Sequence, residues 1–455
     1  MQIIIVGCGK VGMSIAAQLS QEGHSITVID DRSDVVHHAS NLYDVMGIIG
    51  NGASYAIQMD AGIENADLLI AATDSDEVNL LCCLIAKKAG DCQTIARVRN
   101  PVYNNEISFL KEELGLSMVI NPEFSAATEI ARILRFPSAI KIDTFAKGRV
   151  ELLKVKTDEN SILDGIRLMD LSHRLHCDIL VCAVEREDET IIPKGDFVLK
   201  GGDILTIMAS PKNAGEFFQK IGIETHQVKN TLIVGGGKIA YYLAEQLITM
   251  GIAVKIIEKN QERCEILSEL LPRASVIHGD ATDRSVLFEE GLTHAESFVS
   301  LTDMDEGNIL LSLFAKSQSN AKIVTKVNRI TFDEVVNGFN LGSIIYPKFI
   351  TAEYIVQYVR AMQNSIGVNA ETKYKIIENK AEALEFWIKE DAPVVGIPLA
   401  KLNIKDNVLI ACINHKGRII TPRGKDIIQM GDTVIIVTTN TGLNELNDIK
   451  DILKP

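Results

Sequence analysis

The sequence predicts an α/β chain: two doubly wound parallel sheets, each followed by a small α+β subdomain. Three observations carry that prediction. The phrase IIIVGCGKVG at residues 3–12 is an apolar run that breaks into G-x-G-x-x-G, and it returns as LIVGGGKIA at 232–240. The landmarks beyond it return in the same order, as a duplication requires. Short apolar runs alternate with segments of helical period throughout each copy.

The repeat can be followed station by station. Gly7 meets Gly235 and Asp30 meets Glu258, both at an offset of 228. GNGAS (50–54) meets GDATD (279–283), ATDSDEVN (72–79) meets LTDMDEGN (301–308), and IARV (95–98) meets VTKV (324–327), all at 229. INP (120–122) meets IYP (345–347) at 225. Beyond these, IIPKGDFVLKGGDIL (191–205) matches IITPRGKDIIQMGDTV (419–434), with Pro193 over Pro422 and Asp203 over Asp432. The order is A-B-A′-B′, with expected domains 1–136, 137–226, 227–364 and 365–455 and joins near 136–147, 222–230 and 364–373.

In module A, residues 2–6, 25–30, 45–49, 67–71, 93–98 and 117–120 read as strands apolar on both faces, as buried parallel strands require. Between them lie helices; Val78, Leu81, Leu84 and Ile85 recur at helical spacing. Module B carries the alternating strands VELLKVKT, DILVCAVER and DILTIMAS and a G-D turn, a small α+β pattern. The polar stretch after Thr441 reads as a closing helix.

Composition narrows the function. The 455 residues are 46% hydrophobic and 23% charged, ordinary globular values, and the net charge is −14. An acidic chain is not expected to track nucleic acid or an anionic membrane surface. No apolar run approaches the ~18 residues of a membrane span, and no export signal is expected at the N-terminus. The eight cysteines contain no C-x-x-C and read as reduced thiols of a cytosolic protein.

The chemistry lies in module A. A glycine triplet after a strand and before a helix is the dinucleotide-binding turn of a Rossmann-like fold. Gly7 allows the turn, Gly9 lets backbone approach a pyrophosphate, and Gly12 lets helix and strand pack; Cys8, Lys10 and Val11 complete the loop. The helix start offers unpaired N–H groups to an anion. Asp30, about 20 residues on, can accept ribose hydroxyls and repel a 2′-phosphate, which favours NAD(H) or an adenine nucleotide over NADP. The alternative is a sheet that kept its turn and lost its ligand.

The second copy offers Gly235, Gly236, Gly237, Lys238, Ile239 and Glu258, with Ala240 in place of the third glycine and Lys259 next to the acid. Thr73-Asp74 and Thr302-Asp303 close the fourth strands at the carboxyl edge, where they either meet ligand or cap the next helix. Arg97 and Lys326 end the fifth strands as phosphate partners or as surface salt-bridge residues.

Other motifs are absent or weak. The sequence shows no Ser-His-Asp order, no H-E-x-x-H and no P-loop lysine. His173, His176, Cys177 and Cys182 suggest a metal site, but two cysteines at odd spacing in one strand face opposite ways. His37 and His38 read as surface. A soluble NAD-dependent oxidoreductase is the rival reading, and it lacks an evident proton-transfer residue.

IIIVGCGKVG, TVID, GNGAS, AATDSDEVN, IARVRNP and the G-D signature together resemble the RCK (KTN) regulatory domains of potassium transport systems. The A-B-A′-B′ order over the whole chain is similar to the tandem cytosolic subunits of bacterial Trk uptake systems. The resemblance implies NAD(H), or ATP or ADP, bound at Gly7 to Val11, Asp30, Thr73, Asp74 and Arg97. It implies a second nucleotide at Gly235 to Ile239, Glu258, Thr302, Asp303 and Lys326. It further implies a homodimer or larger ring, attached peripherally to the inner face of the membrane beneath a TrkH/TrkG-like potassium-translocating subunit, and no catalysis. Ala240 and Glu258 are this chain's departures from the pattern.

Overall fold

The computed structural model describes residues 1–135, 141–145, 150–159, 161–187, 189–222, 228–328, 341–365, 370–377, 380–388, 392–439 and 449–454. They cluster into two units. One joins residues 1–131 with 228–356, and the other joins 132–227 with 357–455.

The first unit holds both nucleotide-type modules. Strands β1 (Gln2–Val6), β2 (Ser25–Asp30), β3 (Val45–Ile49), β4 (Leu68–Ala71), β5 (Gln93–Arg97) and β6 (Met118–Ile120) form one parallel sheet in the order 3-2-1-4-5-6. That order reverses direction beside β1, and the crevice at such a switch point is where ligands of these sheets sit. Helices α1 (Lys10–Gln21), α2 (Ser33–Leu42), α3 (Tyr55–Asp60), α4 (Asp76–Ala89), α5 (Pro101–Asn105), α6 (Ile107–Glu113) and α7 (Pro122–Arg135) fill the connections. Ile3, Ile4, Ile5 and Val6 are all buried, so β1 is covered on both faces.

The second copy repeats this arrangement. Strands β12 (Asn230–Val234), β13 (Ala253–Glu258), β14 (Ser275–His278), β15 (Ser297–Ser300), β16 (Lys322–Lys326) and β17 (Ser343–Ile345) take the same order. Helices α10 (Lys238–Thr249), α11 (Gln261–Leu270), α12 (Arg284–Glu289) and α13 (Asp305–Gln318) lie at matching places, and a last helix spans Pro347–Ser365.

The second unit holds the two small subdomains. In the first, β7 (Lys141–Phe145), β8 (Val150–Lys156), β9 (Leu180–Arg186), β10 (Glu189–Ile191) and β11 (Ile204–Ala209) form an antiparallel sheet ordered β10-β9-β11-β8-β7, with helices α8 (Leu168–Leu175) and α9 (Pro211–Lys220). The second uses β18 (Ala370–Ile377), β19 (Ala381–Trp387), β20 (Val408–His415), β21 (Arg418–Ile420) and β22 (Thr433–Thr438) in the equivalent order. Their sheets share a core: Val150, Leu152, Cys182 and Met208 of one pack with Ala381, Ala383, Cys412 and Ile435 of the other.

Several expectations are corrected here. Two stretches that read as joins contain strands: β7, which pairs with β8, and the start of β18, which pairs with β19. Edge strands of this kind are mixed in polarity, so they look like linker. The closing helix expected after Thr441 falls on 440–448, outside the described residues, and a 3-10 turn at Ile449–Ile452 comes after that stretch. Cys177 precedes β9 rather than sharing it with Cys182, and Cys182 sits at a break in register between β9 and β11. All eight cysteines are buried and unbridged. No group of three or more His, Cys, Asp or Glu among the described residues could hold a metal ion, and no described helix is long and apolar enough to cross a membrane.

The G-D turns acquire a role. Asp203, 2% exposed, accepts two hydrogen bonds at 2.7 Å from the Arg186 guanidinium and one at 2.9 Å from the Lys200 N–H. In the repeat, Asp432 receives the Gln429 N–H at 2.8 Å and lies 2.6 Å from His415 Nδ1. Asp203→Ala strands Arg186 and a backbone donor, and is expected to cost about 3 kcal/mol. Urea unfolding followed by circular dichroism measures this; a change under about 1 kcal/mol would show that the turn holds without its acid.

Candidate nucleotide-binding sites

Each glycine turn connects its first strand to the helix behind it. Gly7 has φ +96° and its N–H donates to Ile29 O at 2.8 Å. A Cβ at Gly7 would lie 2.9 Å from the Thr73 nitrogen, and Gly235 (φ +97°) meets Leu301 and Thr302 in the same way. These two positions therefore require glycine on conformation and on space. A Cβ on Gly12 would lie 1.9 Å from Gly7 O, so this residue sets the approach of helix to turn.

Gly9 and Gly237 differ from these. A Cβ on either would meet nothing within 4 Å. Both stand at the N-cap of their helix with no side-chain cap, and no acid lies in the first turn of α1 or α10. Elsewhere Ser75 caps α4, Asn260 caps α11 and Asp283 caps α12. Two exposed helix starts with bare N–H groups and open space above them suit a pyrophosphate. Lys10 and Lys238 are exposed beside that space, while Val11 and Ile239 are buried in the core and can offer only backbone.

The acid stations close on the turns. Asp30 Oδ2 accepts the Cys8 N–H at 2.7 Å, and Oδ1 accepts the Arg32 N–H at 3.1 Å. Burial pushes the carboxyl up, but the Cys8 and Arg32 N–H bonds and the Arg32 charge outweigh it, so Asp30 stays below its ordinary value. A depressed folded pKa adds stability above the unfolded value of about 3.9, and that stability is lost as pH falls through the folded value. Acid unfolding of Asp30→Asn should therefore be less steep than that of the parent chain below about pH 4. Equal slopes would remove Asp30 from the balance.

In the second copy Glu258 Oε2 accepts the Gly236 N–H at 2.5 Å and Oε1 accepts the Asn260 N–H at 2.7 Å. A Cβ on residue 236 would lie 2.6 Å from Leu267 and 3.0 Å from Glu258 Oε2. A side chain at 236, where module A has Cys8, would thus crowd Leu267 and the longer acid. Lys259 is paired with Asp280 at 2.9 Å, which engages the cation next to the ribose station. Burial and the Asp30 charge push the Cys8 thiol up to about 12, so it remains an inert thiol.

The Thr-Asp pairs are not helix caps. Ser75 caps α4, and Met304 stands at the corresponding place in the repeat without a side-chain cap. Thr73 instead gives its N–H and Oγ1–H to Asn79 Oδ1 at 2.8 and 2.7 Å, and Asn79 Nδ2 donates to Thr73 O and Arg97 O. Thr302, Asn308 and Lys326 O repeat this latch. Asn79 and Asn308, both fully buried, tie the carboxyl edges together, and sequence reasoning misses them. The one signal for them is the shared last letter of ATDSDEVN and LTDMDEGN.

Arg97 and Lys326 are not surface salt bridges. Their side chains are only 12% and 8% exposed, yet the acids near them, Asp74 at 3.7 Å and Asp303 at 3.6 Å, project fully into solvent. Burial lowers the pKa of both cations. Arg97 donates to Thr73 O and Lys326 to Leu301 O, both at 3.3 Å, and with Asp74 and Asp303 out in solvent an anion in the crevice would add a direct charged partner. Each sheet edge thus gathers a bare helix start, a turn-bound carboxylate and a buried cation.

Comparison with known proteins agrees with this arrangement. The TrkA-N domain matches residues 3–122 and 231–347, and the TrkA-C domain matches residues 152–222 and 383–451. The chain is 33% identical, over 98% of its length and 99% of the other, to the Trk system potassium uptake protein TrkA homolog 1 of Methanosarcina mazei. It is 28% identical, over 100% of its length and 99% of the other, to the Trk system potassium uptake protein TrkA of Haemophilus influenzae. The solved structure of the GsuK channel bound to NAD has the same fold, with a TM-score of 0.63 at 17% identity over 96% of this chain and 77% of that one. Two nucleotide-type modules, two small subdomains and their alternating order are thus matched along nearly the whole length, and the chain belongs to the TrkA family.

Proposed function

We propose that the chain is the nucleotide-sensing regulatory subunit of a potassium uptake system. It sits at the inner face of the cell membrane and gates a TrkH/TrkG-like translocating subunit. The observation that carries this reading is the paired site: both glycine turns keep a bare helix start, a carboxylate bound to the turn and a buried cation. The relatives named above are potassium uptake proteins, and the GsuK channel structure binds NAD.

Gly7 to Val11 and Gly235 to Ile239 would hold a pyrophosphate through backbone N–H groups. Asp30 and Glu258 would hold a ribose through its hydroxyls. Thr73, Asp74 and Arg97, with Thr302, Asp303 and Lys326, would line the far side. NAD(H), ATP or ADP would supply the signal by binding, without being consumed. A ligand shifts a conformational equilibrium only by its difference in affinity between the two states. Two chains, each with two A-B pairs, would give a ring of pseudo-fourfold symmetry, and movement of its modules would act on the membrane subunit.

The test is co-reconstitution of the chain with a TrkH-type subunit in vesicles, with potassium flux read against NADH, NAD⁺, ATP and ADP. Flux that depends on both the chain and the nucleotide supports the reading. Flux indifferent to the chain, or turnover of NAD by the chain alone, would sink it.

A further inference from the structure

The two nucleotide modules touch through a side chain that belongs to neither set of ligand residues. Tyr242 is the fifth residue of α10, the helix whose start faces the second site. It is 1% exposed. Its hydroxyl donates to Arg99 O at 3.1 Å and accepts from Asn121 Nδ2 at 3.0 Å, both in the first module. Asn121 Oδ1 in turn accepts the Phe124 N–H at 2.9 Å, and the Tyr242 ring meets the Phe124 ring edge-on with centroids 5.5 Å apart. Burial pushes the phenol up to about 12, so it remains an O–H donor.

The segment it grips is the end of the first site. Arg99 lies two residues beyond Arg97. The Arg99 and Asn100 N–H groups donate to Asp76 Oδ2 at 2.9 and 2.8 Å, and the Arg99 guanidinium reaches Asp74 O. Asp74 and Arg97 are the far-side residues of the first nucleotide station. One hydroxyl therefore joins the second site's helix to the backbone that sets the first site's cation.

The repeat makes the contact singular. The residue matching Tyr242 in α1 is Ser14. Its buried hydroxyl has no hydrogen-bond partner among the described residues.

We propose that Tyr242 is a positioning residue through which the second site's occupancy sets the first site's affinity. This rests on the nucleotide reading of the two turns. An anion drawn onto the α10 start moves or stiffens that helix. Tyr242, held at both its donor and its acceptor, carries the change to Arg99 and so to Arg97. Only one such bridge is needed, because linkage makes the coupling reciprocal: each nucleotide alters the other's affinity by the same factor.

The experiment is calorimetric titration of the full chain with NADH. Four proteins are compared: wild type, Glu258→Ala, Tyr242→Phe and the double variant. The coupling factor is the ratio of first-site dissociation constants with the second site filled and with it disabled. We expect a factor of about fivefold or more in the parent background, falling below about twofold in the Tyr242→Phe background. With the second site disabled, Tyr242→Phe should leave first-site affinity nearly unchanged, which a merely structural role would not do. Asn121→Ser, which keeps the Phe124 cap but cannot reach Tyr242, should lower the factor in the same way and guards against misfolding of the first variant. An unchanged factor in Tyr242→Phe, or two independent sites in the wild type, overturns the coupling and leaves the nucleotide reading intact. No binding in the wild type overturns both.

Discussion

Asp30→Asn should lower the affinity of the first site for NADH by about a hundredfold and leave one working site per chain. The carboxylate is already fixed by the Cys8 and Arg32 N–H groups. Those bonds hold it ionised. A ribose diol would donate two hydrogen bonds to a charged acceptor, each worth about 1.5–3 kcal/mol. Asn retains one acceptor oxygen and adds an NH₂ donor that faces the Cys8 N–H or the ribose wrongly. Loss of about 3 kcal/mol corresponds to roughly a hundredfold in dissociation constant.

Glu258→Gln should do the same at the second site, since Gly236 and Asn260 hold that acid just as firmly. Calorimetry reads this as a halved stoichiometry in each single variant. If both variants still bind two NADH with the parent affinity, the acids serve the turns alone and the ribose lies elsewhere. NADPH gives a second reading of the same experiment. Neutralising Asp30 removes the repulsion of a 2′-phosphate, so discrimination between NADH and NADPH should narrow at that site.

The inner sheet strands are legible in the sequence because each is an apolar run long enough to be buried on both faces; β3 carries the same apolar signal although it lies at the sheet edge with Met46 and Ile49 exposed. The six strands read from module A lie within a residue or so of those observed, from Gln2–Val6 to Met118–Ile120. The glycine turns are legible because backbone conformation restricts Gly7 and Gly235 to a single residue type. The hidden features depend on partners remote in sequence. Asn79 looks like any polar residue of a helix until its amide is seen to tie Thr73 to Arg97. Arg97 and Lys326 read equally as crevice cations or as surface salt-bridge residues, because only the packed sheet edge buries them. β7 and β18 look like joins because an edge strand lacks the double-sided apolar signal.

The glycines of one turn should separate folding from sensing. Gly7→Ala is expected to damage the module itself. An alanine there must hold φ near +96° and place its methyl against the backbone of Ala72 and Thr73 at about 3 Å. The left-handed backbone alone costs about 1–2 kcal/mol, and the methyl cannot be relieved by turning a side chain, since its neighbours are main chain. The melting temperature should fall by several degrees, and nucleotide binding at that site should go with it.

Gly9→Val should leave the fold intact. Gly9 already has an extended backbone, φ −69° and ψ −174°, which any residue adopts, and its side-chain direction is open. The new side chain enters the space above the bare α1 start, where the pyrophosphate must approach. Binding at the first site should fall at least tenfold with the melting temperature within about 4 °C of the parent, because valine for glycine at an N-cap costs about 1 kcal/mol. Gly237→Val should reproduce this at the second site. Thermal unfolding and calorimetry on the same samples decide the matter. If Gly9→Val binds NADH as the parent does, the anion does not cross the turn, and the helix start is bare for another reason. If it melts early, the space above Gly9 is part of the packing, and the distinction between scaffold and sensor within this turn is lost.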